Sequence, residues 1–213
     1  MDMQDAPLEG VLHETVPEPE TPVEYLAFVI SLLGSPPMMA LYAMVAVALM
    51  LGTRGTWLWV GLYLLLAVLI PLVFLIVQVR LGNVTDMDIH LREQRQGSLL
   101  ATTFGSAVAW TWMTVGDAHE TVRFMVGLAV AQWLAIYLIT LRWKISVHST
   151  SATGVALFIV RTFGAGVIPV LLTVPIIAWS RVKLRRHTLL QTLGGIGLGA
   201  VLFGLVSGLY WIF

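Results

Sequence analysis

The sequence predicts an all-α, polytopic integral membrane bundle with about six to seven membrane-embedded helices. Three observations lead there. Of 213 residues, 58% are hydrophobic and only 11% are charged, against about a quarter charged in a soluble domain. Mean hydropathy is +0.87. The apolar residues also come in long unbroken runs, not in the alternating segments of about ten residues that a membrane barrel needs. A chain with so few charges lacks the means to cover a water-facing surface. A soluble enzyme, a disordered protein and a nucleic-acid binder with a basic face are therefore excluded. Formal net charge is zero, so no polyanionic partner is expected. There is no cysteine, which removes disulfides, thiolate catalysis, iron–sulfur clusters and cysteine zinc sites.

Taken in order, residues 1–22 stand apart. Asp2, Asp5, Glu9, Glu14, Glu18 and Glu20 occur there without Lys or Arg, and Pro7, Pro17, Pro19 and Pro22 interrupt the stretch. This composition predicts an acidic, disordered tail, with the helical domain occupying 23–213. It is not a signal peptide, because it lacks a basic start and an apolar run. A helix needs about 20 apolar residues to cross a bilayer, and seven blocks qualify as membrane-embedded: 25–51, 56–79, 98–115, 121–141, 149–164, 166–180 and 188–213. Ser35 followed by Pro36 and Pro37 reads as a helix start, so 25–34 is expected as a separate interfacial helix. Pro71 is expected to kink the second block. The two blocks within 149–180 form a hairpin whose arms reach about 24 Å each at helical rise, short of a hydrocarbon core of about 30 Å. Either the hairpin fails to cross fully or its open ends sit below the headgroups, and the second is preferred because polar residues cluster at those two ends. In the last block, Gly195/Gly199 and Gly204/Gly208 are small-xxx-small pairs that favour close helix contact. Packing within the chain is the preferred reading, and an oligomer face is the alternative.

The connections are unequal. Three are short, around 52–55, 116–120 and 164–166. The other three, 80–97, 142–148 and 180–187, are rich in ionisable groups. Alternating crossings place all three rich clusters on one side of the membrane. Arg and Lys at helix ends are ordinarily topology signals, and Asp88, Arg92 and Arg95, at i, i+4 and i+7, form one face with an ion pair if their stretch is helical. Together, however, the clusters supply histidines, carboxylates and several guanidinium groups. Arginine offers phosphate a planar fork, and histidine attacks or donates a proton near neutral pH.

Ser180-Arg181, five residues, then His187 resembles the third signature of the type 2 phosphatidic acid phosphatases, in which Ser-Arg, five residues, His is followed three residues later by Asp. Ser146-Val147-His148 resembles the second signature, Pro-Ser-Gly-His. Arg95 stands in the place of the first, Lys, six residues, Arg-Pro. The resemblance covers about residues 80–200. The chain departs from the signatures at Ile145, Val147, Gln96, Gln191 and, in the Lys position, Asp88.

The resemblance implies an integral membrane phosphatase acting on a lipid phosphate or an isoprenoid phosphate or diphosphate, without a cofactor or metal. It implies His187 as nucleophile on phosphorus and His148 as the acid and base that serve the leaving oxygen and the water. Arg181 and Arg95 hold the phosphate, with Ser146 and Ser180 donating hydrogen bonds and Arg92 and Lys144 adding positive charge. Gln191, one helical turn past His187, accepts from the imidazole where the family has a carboxylate, and Asp88 or Glu93 supplies the missing charge.

Three rival readings stand beside it. Asp86 and Asp88 offer two carboxylates for Mg²⁺ on a prenyl diphosphate. A non-catalytic subunit or lipid-binding protein with a relic phosphate pocket is a second. A transporter using Arg161 and Gln132 is the weakest, Arg161 being more simply an interfacial arginine at the hairpin turn. Nine of the 12 Lys and Arg fall on the side of the three clusters. The positive-inside rule therefore places the site on the cytoplasmic face of the cell (inner or plasma) membrane.

Overall fold

The computed structural model describes residues 19–89 and 91–212. Nearly all of the tail assignment, residues 1–18, lies outside them. Within them the chain is all-helical: α1 (Pro22–Leu33), α2 (Pro36–Leu51), α3 (Arg54–Arg80), α4 (Arg95–Val115), α5 (Glu120–Thr140), α6 (Val147–Phe163), α7 (Ala165–Lys183) and α8 (Leu189–Ile212). Four of them, α3, α5, α7 and α8, are long and apolar enough to cross a membrane. They become five spans if α1 and α2, bent by 51° at Gly34-Ser35, are one broken span.

The remaining two helices differ for a readable reason. α4 carries six hydroxyl residues, Ser98, Thr102, Thr103, Ser106, Thr111 and Thr114, and α6 is only 17 residues long. Most of these hydroxyls are satisfied inside their own helix. Thr102, Thr103, Thr111 and Thr114 donate to carbonyls one turn back at 2.7–2.9 Å, and in α6 so do Thr150 and Thr153. A hydroxyl bonded to its own i−4 carbonyl adds no unsatisfied group to an apolar setting.

α1 begins on a capping box. Thr21 accepts from the Glu24 amide and Glu24 reaches back to the Thr21 amide, which satisfies two of the first-turn donors. α3 meets Pro71 with a π-helical stretch, Leu64–Leu69. The proline ring collides with the carbonyl four residues back in a regular helix, and the wider turn moves that carbonyl away. The helix stays one continuous span of 27 residues. α4 closes on this stretch through Gly105, where a Cβ would run into the Leu66 carbonyl oxygen.

α6 is the central helix. Ser149 through Gly154, Ala156 and Phe158 are all buried, against α8, α2, α7 and α5. Its contact with α8 is glycine-dependent. A Cβ on Gly195 would stand 2.7 Å from the Ser146 carbonyl, and one on Gly199 2.7 Å from that of Thr150. These two glycines are used within the chain, while Gly204 and Gly208 face open space. The return arm of the hairpin is longer than helical rise suggests. Ala165–Leu172 is 3₁₀ helix, which climbs about 2 Å per residue, so α7 reaches roughly 32 Å. At the far end of the bundle Met44, Val47, Tyr63, Met113, Val122 and Phe158 form the main apolar core.

Candidate functional site

From α3 onward the chain enters each helix from alternate ends, so the segments 81–94, 141–146 and 184–188 converge at one end of the bundle, where Glu24 at the start of α1 meets Lys183 at 3.8 Å. Arg54, Arg123 and Arg161 mark the other end. There Arg123 faces Asp117 at 3.4 Å, and the Arg161 guanidinium lies 4.4 Å from the Phe124 ring centre.

The spacing Ser180-Arg181 to His187 has a local structural cause. α7 stops at Lys183, Arg185 takes a left-handed conformation with φ 56°, and the chain folds back. The Arg186 amide donates to the Arg181 carbonyl at 3.0 Å and the Arg185 amide to the Val182 carbonyl at 3.0 Å. This is the paired bonding of a Schellman motif. The His187 amide also reaches the Arg181 carbonyl, at 3.3 Å. His187 is thereby set beside the arginine that precedes it by six residues. Ser146 caps α6, its Oγ accepting from the Ser149 amide at 3.3 Å. It also donates its own amide to the Gln191 carbonyl at 3.3 Å, which ties the second cluster to the third.

Among the described residues of 81–94 none is helical, so Asp88, Arg92 and Arg95 share no helical face. Arg92 donates to the Leu141 carbonyl at 2.8 Å and pairs with Glu93 at 2.9 Å. Arg95, buried, donates to the carbonyls of Ile89 at 2.9 Å and Ile145 at 3.3 Å. Asp88 goes to a different partner. Arg181 Nη2 donates to its two oxygens at 2.8 and 2.7 Å, Arg186 Nε lies 3.3 Å away, and the Asp86 carboxylate accepts the Asp88 amide at 2.7 Å. Burial alone raises the Asp88 carboxyl, but Arg181, His148 and Arg186 outweigh it and hold it below the ordinary carboxylate range.

His187 is 6% exposed, and its Nδ1 lies 3.1 Å from Gln191 Oε1. The same oxygen accepts the Thr188 amide at 3.1 Å. A backbone amide has only a hydrogen to offer, so this position must be the oxygen and His187 must carry its proton on Nδ1. Nε2 is left with its lone pair. Burial first, then Arg95, Arg181 and Lys144, push the His187 imidazole well below its usual range, with Gln191 opposing. The ring is neutral at physiological pH. Burial and the neighbouring arginines also bring the half-buried Lys144 ammonium down to about 8.

These groups meet at the head of a cleft of about 540 Å³. Asp88, Arg95, His148, Arg181, Arg186 and His187 line one part of it. Phe28, Leu32, Leu72, Leu75, Leu99 and Trp133 line much of the rest, with the hydroxyls of Ser31, Ser35, Ser98 and Thr102 among them. Two guanidinium donors here, Arg181 Nε and Arg186 Nη1, are buried without a hydrogen-bond acceptor among the described residues. Not every residue expected at the site faces the cleft. Ser180 donates to the Ile177 carbonyl of its own helix at 2.7 Å, and Ser146, Arg92, Lys144 and Gln191 do not line the cleft.

Two contributors escaped the sequence reading. Arg186 sits beside Arg181 on the cleft. Ser31, on the inner side of α1, takes Arg181 Nη1 at 2.6 Å. A serine in an otherwise apolar helix and one arginine among several carry no sequence signal of their own. Among the described residues no group of three or more His, Asp or Glu is placed to hold a metal, and both Asp86 and Asp88 are drawn toward Arg186. No family model, curated protein or solved structure matches this chain.

Proposed function

We propose that the protein is an integral membrane hydrolase of lipid phosphates or isoprenoid phosphates and diphosphates, working through a phosphohistidine at His187. The observation that carries this reading is the pair of buried guanidinium donors without a hydrogen-bond acceptor among the described residues, Arg181 Nε and Arg186 Nη1, at the head of a cleft with largely apolar walls. Orphaned donors on two arginines call for a multivalent oxyanion. Apolar walls running into the bundle call for a hydrocarbon chain attached to it. The resemblance of Ser146-Val147-His148 and Ser180-Arg181…His187 to the phosphatase signatures supports the same assignment, as does an all-helical body with four or five spans long and apolar enough to cross a membrane.

In this mechanism the His187 Nε2 lone pair forms a bond to phosphorus while the phosphorus–oxygen bond to the lipid breaks. His148 gives its proton to the departing oxygen. It then takes a proton from water, whose oxygen attacks phosphorus as the phosphorus–nitrogen bond breaks, releasing phosphate and restoring His187. Arg95, Arg181 and Arg186 balance charge on the equatorial oxygens. Gln191 holds the ring in the required tautomer but supplies no negative charge to the imidazole.

One observation favours a second reading, an anionic-lipid-binding protein without turnover: Arg181 is already engaged by Asp88. The deciding experiment is phosphate release from a panel of lipid phosphates and diphosphates, with and without EDTA, together with acid-quenched trapping of the phosphoenzyme. Release that survives EDTA, with a trapped intermediate in His148→Gln and none in His187→Asn, is the expected result. Anion binding with no release from any substrate leaves the second reading. Loss in EDTA restored by Mg²⁺ moves the chemistry to Asp86 and Asp88.

A further inference from the structure

The residue that departs most sharply from the resembled signature is Asp88, an acid in a lysine position, and it is the residue that fills the arginine site. Arg181 holds both of its oxygens and Arg186 approaches one of them. A carboxylate bound this way puts both oxygens on one guanidinium nitrogen, Arg181 Nη2, in the charge-assisted contact that a phosphate oxygen also makes. Among the described residues Arg181 Nε and Arg186 Nη1 still have no hydrogen-bond acceptor, Arg186 Nη1 standing 4.0 Å from the Asp86 carboxylate, so the Asp88 carboxylate satisfies only part of what the two arginines offer. A tetrahedral oxyanion carries more oxygens and more charge, and it matches the full set.

The backbone on both sides of this contact is held in conformations that L-residues avoid. Ile89, next to Asp88, has φ 46°, and Arg185, next to Arg186, has φ 56°. Left-handed backbone is uncommon for any side chain and is an outlier for a β-branched one. Such geometry persists where surrounding contacts over-determine it. Here the Ile89 carbonyl is held by Arg95 Nε at 2.9 Å and the Asp88 amide by Asp86 at 2.7 Å. The chain therefore brings a carboxylate to the arginines at a local conformational cost, which a merely convenient surface ion pair does not require.

We propose that Asp88 is an internal occupant of the anion site, and that a phosphate monoester binds by displacing its carboxylate from Arg181 and Arg186. Asp88 then sets the affinity threshold of the site: weak anions leave the carboxylate in place, and a dianionic phosphate on an apolar chain removes it. The inference rests on the phosphate reading of the cleft, but not on turnover.

The test uses the purified full chain in micelles of a neutral detergent, with inorganic phosphate and decyl phosphate as probes, read by calorimetric titration and by thermal melting. Asp88→Asn keeps the shape and removes the charge. It should bind both probes at least about tenfold more tightly than the unaltered chain, a tenfold change being one factor of ten in the binding constant. It should melt lower without anion and recover when phosphate is added, because the anion replaces the missing carboxylate. Asp88→Glu, which keeps the charge, should remain near the unaltered affinity. Arg181→Gln should lose binding. If Asp88→Asn gains no affinity, or fails to fold and phosphate does not rescue it, Asp88 is a structural ion-pair partner and the proposal is overturned. Tighter binding of decyl phosphate than of inorganic phosphate assigns the site to a lipid headgroup, and equal binding assigns it to the free anion; both keep the displacement. Displacement without phosphate release sinks the hydrolase and leaves this inference standing, whereas no anion binding in any variant removes both.

Discussion

Arg181 holds Asp88 through both carboxylate oxygens, at 2.8 and 2.7 Å, across 93 residues of sequence. The contact joins the end of α7 to the segment between α3 and α4, and Ser31 brings α1 to the same guanidinium at 2.6 Å. The arginine side chain is 3% exposed and the aspartate 24%, so the pair is shielded from water. Removing one partner of a shielded pair costs about 3–5 kcal/mol because the other charge stays behind. Arg186 still faces Asp88 when Arg181 is gone, which lowers the cost. Arg181→Gln is expected to destabilise the chain by about 2–3 kcal/mol in denaturant melts in detergent. A loss under about 1 kcal/mol is the signature of an exposed pair and contradicts this account.

The helices were legible because lipid demands continuous apolar runs, and such runs survive as blocks in the sequence. The convergence of 80–97, 142–148 and 180–187 at one end follows from counting crossings. The break at Ser35 was legible from Pro36 and Pro37. The partner of Asp88 was not. Spacing rules relate residues on one helix, and they pointed to Arg92 and Arg95, whereas the true partner comes from another helix and requires the segment to be non-helical. The 3₁₀ stretch Ala165–Leu172 was hidden for a related reason. Its residues are apolar and compatible with either helix type, so their pattern does not distinguish the longer rise.

Arg185 gives a prediction about local strain. It occupies the left-handed position of the Schellman turn, φ 56°, where glycine is the usual residue. A side chain there costs about 1 kcal/mol or more, partly offset because glycine loses more freedom on folding. The side chain is exposed. Arg185→Gly should be neutral or raise stability by up to about 1 kcal/mol, and Arg185→Val should lower it, because β-branching aggravates the left-handed conformation. The reverse order in thermal melts contradicts the turn geometry.

His187 gives a pH dependence. Its folded-state pKa is pushed down to about 2, from an ordinary value of 6.5. Between those values the unfolded chain binds a proton that the folded chain refuses. Stability is therefore full above about pH 6.5 and falls as the pH drops, by on the order of 1 kcal/mol per pH unit from this group. His187→Asn should flatten this acid limb between about pH 6.5 and 4.5, measured as the pH dependence of the melting midpoint. An unchanged limb means that His187 takes up its proton while the chain is folded.

The α6–α8 seam separates the glycines of the last helix. Gly195 and Gly199 have no room for a Cβ, whereas Gly204 and Gly208 have open space. Gly199→Leu forces a side chain against the Thr150 carbonyl and should cost about 1–3 kcal/mol. Gly204→Leu should change stability by less than about 0.5 kcal/mol. Equal losses at both positions, tested at low protein concentration, would mean that the outer pair is also packed. A loss at Gly204 that appears only as the protein is concentrated would assign that pair to a contact between copies.

The last prediction is which face of the membrane the cleft opens toward. All three polar connections lie at one end of the bundle, so a single orientation decides for every site residue. Arg95, Arg181 and Arg186 belong to the cleft and are discounted as topology signals. What remains at that end is Arg80, Arg92, Arg142, Lys144, Lys183 and Arg185, against Arg54, Arg123 and Arg161 at the other. Lys and Arg near span ends accumulate on the cytoplasmic side, and acidic residues count for little in that bias. The cleft is therefore expected to face the cytoplasm, which suits a phosphorylated lipid made there. The chain has no cysteine, so single introduced thiols report without background. Gly55, at the start of α3, and Arg142, between α5 and α6, are both exposed and stand at opposite ends. In intact cells a membrane-impermeant thiol reagent should label Gly55→Cys and spare Arg142→Cys until the membrane is opened. Labelling of Arg142→Cys in intact cells, with Gly55→Cys protected, would invert the orientation and put the cleft on the outer face.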